Sequence, residues 1–232
     1  MGASLTLQRV SRRLLSLATA AQCALADRWG TRFPSQQVRE IRNRRIHLTF
    51  DDGPHPTNTP MLLDELRRAG IQATFFVVGK HLETSIGQEL IRRAASEGHQ
   101  IGNHTYSHPH LTELTARQIR QEISITEQLI GNVDNGIKVL RPPYGAHNPL
   151  VDRVASELGY SLVLWNVDSN DWDPKYHDRW VECAMKKIVT QDQSVVLAHD
   201  DRTTTVTRVG ALIAQIQKLQ GSSFIGYSEV FP

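Results

Sequence analysis

An α/β fold, an incomplete (β/α) barrel of about seven parallel strands, is what this 232-residue sequence predicts, and three features predict it. Short apolar runs rich in β-branched and aromatic residues alternate with stretches that carry apolar residues at helical spacing. That rhythm builds parallel sheets with right-handed crossovers. A glycine follows most of the helical stretches, where its tolerance of positive φ ends a helix. No linker or low-complexity segment divides the series, and chains of this length commonly form one barrel domain.

The elements follow in order. Arg45-Ile46-His47-Leu48-Thr49-Phe50 reads as a strand, stopped by Asp51-Asp52-Gly53-Pro54 because glycine permits φ > 0 and proline removes a ladder donor. Thr59 suits a helix N-cap with Pro60 as first residue, Met61, Leu62 and Leu66 form its buried stripe, and Gly70 ends it. Ala73–Val78 is a buried strand, a helix runs through Leu90–Ala94 to Gly98, and Gln100–Gly102 is a short strand. Thr115 opens a long helix with Ile119, Ile123 and Leu129 on one face, closed by Gly131. Val139–Arg141 is the next strand, a helix spans about Asn148 to Leu158, and Ser161–Trp165 is the fifth strand. A helix around Trp180, Met185 and Ile188 leads to the strand Ser194–Ala198. A last helix carries Val209, Leu212, Ile213, Ile216 and Leu219, and Phe224-Ile225 offers a final strand.

Composition removes several function classes. A formal charge of +2 and 6% aromatic residues give no footing for a nucleic-acid partner. The cluster Arg39, Arg42, Arg44 and Arg45 reads as a solvated lead-in to the first strand. Cys23 and Cys183 make neither a disulfide framework nor a metal spacing. No apolar run reaches the roughly 18 residues needed to cross a bilayer, so no transmembrane segment is expected. At the N-terminus, Ser11-Arg12-Arg13 before Leu14–Ala18, with Ala24-Leu25-Ala26 beyond, resembles an export signal. The lean is toward an exported, periplasmic or extracellular, protein, although Leu14, Leu17, Ala18, Ala21 and Leu25 also fit one face of an ordinary helix.

The unusual polar residues all fall just past strand C-terminal ends. Asp51 and Asp52 follow the first strand, His104-Thr105-Tyr106-Ser107-His108 the third, and Arg141-Pro142-Pro143-Tyr144-Gly145 the fourth. Asp168-Ser169-Asn170-Asp171-Trp172 follow the fifth, and His199 with Asp200 the sixth. In a parallel α/β fold those ends share one face, where active sites are built. His104 and His108 are four apart, which in a helical turn puts both imidazoles on one side. With one carboxylate they make a His/His/Asp set with open positions, suited to catalytic zinc and also to cobalt, nickel or manganese. Of two adjacent aspartates, one can ligate while the other stays free as a base; the residue pattern leaves open which does which. His110 reads as a bystander, His47 as a packed core histidine and Asp168 as a loop-shaping residue.

These five segments, Thr49–Pro54, His104–His108, Arg141–Gly145, Asp168–Trp172 and Leu197-Ala198-His199, resemble the five motifs of the polysaccharide deacetylases, the carbohydrate-esterase group of chitin, peptidoglycan and nodulation-factor deacetylases. They stand in the family's order from about Arg45 to Phe231, and five together are specific where one is weak. The resemblance marks 41–232 as a catalytic domain behind an N-terminal extension, 1–40. It implies a distorted (β/α) barrel and hydrolytic removal of acetyl groups from N-acetylglucosamine units of a β-linked glycan. It further implies Asp51 as general base, Asp52, His104 and His108 as ligands of a divalent metal, zinc first, and Arg141 as the group that orients Asp51. His199 would be the general acid held by Asp171, with the Tyr144 backbone N–H at the oxyanion and Trp172 and Leu197 lining the acetyl pocket. The stretches 171–177 and 200–203 are expected to border the substrate groove. O-acetyl xylan esterase activity and a silent glycan-binding module are the rival readings.

Overall fold

In the computed structural model, residues 43–133 and 137–230 are described. The N-terminal extension, with its export signal or helix, lies outside the described residues. In chain order the elements are β1 (Arg44–Asp51), α1 (Asn58–Ala69), β2 (Ala73–Val77), α2 (Ser85–Ser96), β3 (Gln100–Asn103), α3 (Ala116–Ile130), β4 (Val139–Leu140) and α4 (Pro149–Glu157). There follow β5 (Ser161–Leu162), β6 (Val167–Asp168), α5 (Trp180–Ile188), β7 (Gln193–His199), α6 (Thr203–Lys218), β8 (Ser222–Phe224) and α7 (Tyr227–Val230), with short 3-10 turns between.

Every strand pairing is parallel, in the order β5-β4-β3-β2-β1-β7-β6. β7 runs along one edge of β1 from Arg45 to Asp51. The other edge is shared: β8 pairs with Arg44–Ile46 and β2 with Leu48–Asp51. Among the described residues β5 and β6, the two ends of the path, are not paired, so the sheet curls into an incomplete barrel, as the sequence predicts.

Strand parity sorts the side chains. Ile46, Leu48 and Phe50 of β1, with Phe75, Val77, Ile101, Val196 and Ala198, pack outward against Leu62, Leu63 and Leu66 of α1 and Val209, Leu212, Ile213 and Ile216 of α6. Each such side chain, fully buried, contributes about 1.5–3 kcal/mol. The alternate residues His47, Thr49 and Asp51 face inward and are buried. His47 is a packed histidine: its Nδ1–H donates to Ile225 O and its Nε2 accepts from the Thr74 hydroxyl, both at 2.8 Å. Phe76 also lies in the interior, packed with Val139, Val163 and Tyr227. Gly102 has no side chain for that reason, since a Cβ there would stand 2.5 Å from the Phe76 ring.

Three expectations need correction. The first helix begins at Asn58, one residue before the expected cap. Thr59 is turned inward instead, donating to Asp200 Oδ2 at 2.5 Å and accepting from the His55 N–H at 2.7 Å. A hydroxyl that serves a buried carboxylate is worth more there than at a solvated helix end. The fifth strand stops at Leu162 because Arg141 takes the next two carbonyls, from Nε to Val163 O (3.1 Å) and from Nη2 to Leu164 O (3.2 Å). The chain then rejoins the sheet as β6 beside β7, so the stretch read as one strand is two short ones, and the described residues hold eight short strands where about seven were expected. Third, the segment 104–108 is an irregular loop, not a helical turn. Thr105 and His108 have left-handed backbones (φ 66° and 59°), and the Thr105 and Tyr106 carbonyls are taken by the N–H groups of Gly79 and Lys80. The Thr115 start, by contrast, is a full capping box with Gln118.

Candidate active site

Asp51 and His199 end the neighbouring strands β1 and β7 and lie side by side in register. His104 follows β3 and Arg141 follows β4. Asp171 and Trp172 lie past β6 rather than past the expected fifth strand, so parallel topology still brings all of them to one end of the barrel.

Asp51 is 3% exposed and accepts from Arg141 Nη1 at 2.8 Å. The same nitrogen lies 2.7 Å from Thr49 Oγ1, whose hydroxyl donates to Val196 O. Arg141 is itself fully buried, its guanidinium carbon 4.1 Å from the centre of the Phe76 ring. With Val163 O and Leu164 O on its other donors, this side chain links β1 to the chain beyond β5, and the Phe76 and Trp165 rings lie against its guanidinium. Such multiple planar donation is what arginine supplies and lysine does not.

Asp52, also left-handed (φ 74°), turns its carboxylate toward the histidines. Its Oδ1 lies 3.5 Å from His104 Nε2 and 3.2 Å from His108 Nε2. Burial would raise the pKa of Asp52, but the two imidazoles facing it hold it well below the usual carboxylate range. His104 Nδ1 donates to the Arg141 carbonyl at 2.7 Å, which fixes the tautomer and leaves the Nε2 lone pair aimed at Asp52. One atom from each of Asp52, His104 and His108 lies within 4.8 Å of the others. Asp52 Oδ1 is buried and makes no hydrogen bond. An orphaned anionic oxygen facing two imidazole nitrogens fits a divalent cation, zinc or a neighbouring transition metal. The structure thus joins the three expected ligands and leaves Asp51 on Arg141 beside them, its Oδ2 3.7 Å from His104 Nε2.

His199 Nδ1 lies 2.8 Å from Asp171 Oδ1, and the His199 backbone N–H donates to Asp171 Oδ2, also at 2.8 Å. Ser169 (3.0 Å) and Thr205 (2.5 Å) complete the shell of this fully buried carboxylate. Burial would depress the His199 imidazole, but Asp171, and then Asp51 and Asp52, raise its pKa to about 9. Burial would raise Asp171, and the imidazolium with its hydrogen bonds lowers it instead.

Tyr144 has a left-handed backbone (φ 61°) and a ring 59% exposed at the rim. That ring stacks on His110 (centroids 3.9 Å, interplanar angle 18°) and meets the edge of His108 at 4.7 Å. His110, read as a bystander, packs at the rim through that stack. Leu197 is buried two residues before His199 on the same face of β7, and Trp172, 42% exposed, follows Asp171. These two are placed by their chain neighbours. Asp168 shapes its loop, accepting from the Asn170 N–H at 2.8 Å. Asp200, expected at the groove border, is instead 1% exposed beneath it and bonded to Thr59, and burial raises its pKa to about 7. Thr205 escaped sequence reading because its partner Asp171 lies 34 residues away, and Glu122, which accepts from the Tyr106 and Ser107 N–H groups, because that pairing forms only on folding.

A family model described as polysaccharide deacetylase matches residues 39–163. The chain belongs to that family. It is 36% identical over 192 residues to a peptidoglycan-N-acetylglucosamine deacetylase of Listeria monocytogenes, covering 82% of this chain and 39% of that one. The chain thus spans well under half the length of that relative. With a chitooligosaccharide deacetylase of Bradyrhizobium it shares 34% identity over 194 residues, 78% of this chain and 87% of that one. Among solved structures, a family 4 carbohydrate esterase from Streptomyces lividans in complex with acetate superposes with a TM-score of 0.70 at 33% identity, over 78% of this chain and 92% of that one. Among the described residues no helix is long and apolar enough to cross a membrane.

Proposed function

We propose that this chain hydrolyses the acetamide of N-acetylglucosamine units in a β-linked glycan, a peptidoglycan strand or a chito-oligosaccharide. The observation that carries the reading is two held groups beside one ligand set. Asp51, locked by Arg141, and His199, locked by Asp171, end adjacent strands, and Asp51 lies 3.7 Å from His104 of the set Asp52, His104 and His108. The deacetylase names of the relatives support the bond, and the two relatives named above support the two glycans.

A divalent ion held by Asp52, His104 and His108 would supply Lewis-acid charge and lower the pKa of water from about 15.7 to about 7. The rest falls to the chain. Asp51 accepts the proton from the attacking water, its carboxylate aimed by the Arg141 Nη1 donor at 2.8 Å. The Tyr144 N–H is assigned to the oxyanion, a donation worth about 3 kcal/mol. An amide's amine leaves poorly unless protonated, and His199, charged at neutral pH through Asp171, donates that proton from Nε2. Positioned proton transfer of this kind contributes about 10²–10⁴-fold. An acetyl ester needs less help from the leaving side, so the cationic His199 favours amide over xylan ester.

The test is mass-spectrometric analysis of acetate loss across chitin oligomers, peptidoglycan fragments and acetylated xylan, with and without chelator. Loss of acetyl from the N-acetylglucosamine substrates, stopped by chelation, is expected. Acetate release from xylan alone would replace the amide reading with the ester one, and binding without product would make the chain a glycan-binding module.

A further inference from the structure

We propose that Glu122 of α3 is a positioning residue for the ligand loop, its carboxylate holding His104 and His108 in the geometry that receives a divalent cation. The inference rests on the metal reading above. Between the two histidines the chain runs through an improbable shape, because Thr105 and His108 are both left-handed and neither is glycine. Something must over-determine such a conformation.

The carbonyl side is held from β2 and the turn after it. His104 N–H donates to Val77 O (2.9 Å), Gly79 N–H to Thr105 O (2.9 Å) and Lys80 N–H to Tyr106 O (3.0 Å). Thr105 N–H is taken by Asn103 Oδ1 at 2.8 Å. That leaves the amides of Tyr106 and Ser107, and Glu122 takes both: Oε2 accepts from them at 2.9 and 2.8 Å, while Oε1 accepts the Ser107 hydroxyl at 2.8 Å. One carboxylate therefore satisfies every donor of two of the three residues that separate the candidate ligands, apart from the Tyr106 phenol, which bonds Glu83.

The arm that presents Glu122 is rigid. Ile119 and Ile123 on either side are fully buried, and Asn103 Nδ2 donates to Ile123 O at 2.9 Å, tying α3 to the end of β3. α3 also abuts Gly79, where an added Cβ would stand 2.4 Å from Thr126 Oγ1. The ligand loop is thus gripped between β2 and α3, with Glu122 as the grip on the amide side. Residues that orient metal ligands from outside typically change metal affinity by about 10–100-fold when lost.

The experiment is competition of metal-free protein with a chromophoric chelator for Zn²⁺, alongside Co²⁺ absorption spectra and thermal melts of the metal-free forms. Wild type should bind one equivalent, and His104→Ala should lose it. Glu122→Ala should weaken binding by about 10–100-fold and alter the Co²⁺ spectrum. Glu122→Gln, whose amide oxygen still accepts both backbone N–H groups, should recover most of the affinity. Should Glu122→Ala fail to fold, Glu122→Gln and Ser107→Ala carry the test, with the serine variant weaker than wild type. Wild-type affinity in Glu122→Ala, or equal loss in the alanine and glutamine variants, overturns the proposal while leaving the metal reading intact. A wild-type chain that binds no ion overturns both.

Discussion

His104 Nδ1 donates to the backbone carbonyl of Arg141 at 2.7 Å, and the side chain of that same arginine grips Asp51. One residue therefore orients a candidate metal ligand with its backbone and the candidate base with its guanidinium. Arg141→Ala would leave the buried Asp51 carboxylate unpaired, a defect that typically costs about 3–5 kcal/mol. Arg141→Lys keeps the charge but cannot reach Asp51, Val163 O and Leu164 O together. Both variants should melt below wild type and lose turnover, lysine less than alanine in stability. Thermal denaturation with steady-state kinetics checks this, and a wild-type kcat in either variant contradicts the role given to Asp51.

The two adjacent aspartates differ in their nearest partners, although both approach His104. Asp52 faces imidazoles and Asp51 faces a guanidinium. Asp51→Asn should retain a bound divalent ion yet fall in kcat by about 10²–10⁴-fold, the range of a lost general base. Asp52→Asn should lose the ion itself. Metal content by elemental analysis, measured beside acetate release, separates the two, and the reverse pattern would exchange their assignments.

How much of this was legible in the sequence depends on how local each cause is. Thr115 opens its helix as read, and Gln118, three residues on, completes a capping box there. The inward parity of Thr49 and Asp51 follows from strand alternation alone. The split of Ser161–Trp165 was not legible, because the carbonyls of Val163 and Leu164 are claimed by a residue more than twenty positions upstream. Thr59 failed for the same reason, its hydroxyl serving Asp200 across the barrel end. The His104–His108 spacing was right about convergence and wrong about geometry: two left-handed residues, not a helical turn, bring the rings together. His110 had no sequence partner at all, and its stack on Tyr144 arises only when loops after β3 and β4 meet.

Asp171 serves His199 as Arg141 serves Asp51. Its carboxylate is the largest favourable influence holding that imidazole up at about 9 against burial. Asp171→Asn keeps the shape, removes the charge and leaves an amide that can donate from its nitrogen, so the imidazole should titrate well below 9. Turnover at neutral pH should drop by about 10²–10⁴-fold, as for other orienting carboxylates. A histidine-selective NMR titration of metal-free wild type and variant reads the shift, and an unchanged His199 pKa rules out this pairing as its cause.

Stability should depend on pH through two buried histidines that belong to neither the ligand set nor the acid–base pair. Burial, opposed at His47 by the Ile225 carbonyl and reinforced by Arg141, lowers that imidazole to about 4, and burial likewise lowers His99 to about 4. Both native pKa values lie below the unfolded value of 6.5, so between pH 6.5 and 4 the unfolded chain binds more protons. Their contribution is present above about pH 6.5 and is lost as pH falls toward 4, up to about 3 kcal/mol each from a difference of roughly 2.5 units. Asp200 works the other way: raised to about 7, its native carboxyl binds more protons than the unfolded one, so its contribution declines as pH rises toward 7. A net curve would blend the two signs, and the informative quantity is a difference. His47→Gln can still donate to Ile225 O and accept from Thr74 without titrating. Urea denaturation of metal-free wild type and His47→Gln at pH 7 and pH 5 should show wild type losing more stability on acidification. Parallel losses in the two proteins would mean that His47 does not protonate on unfolding.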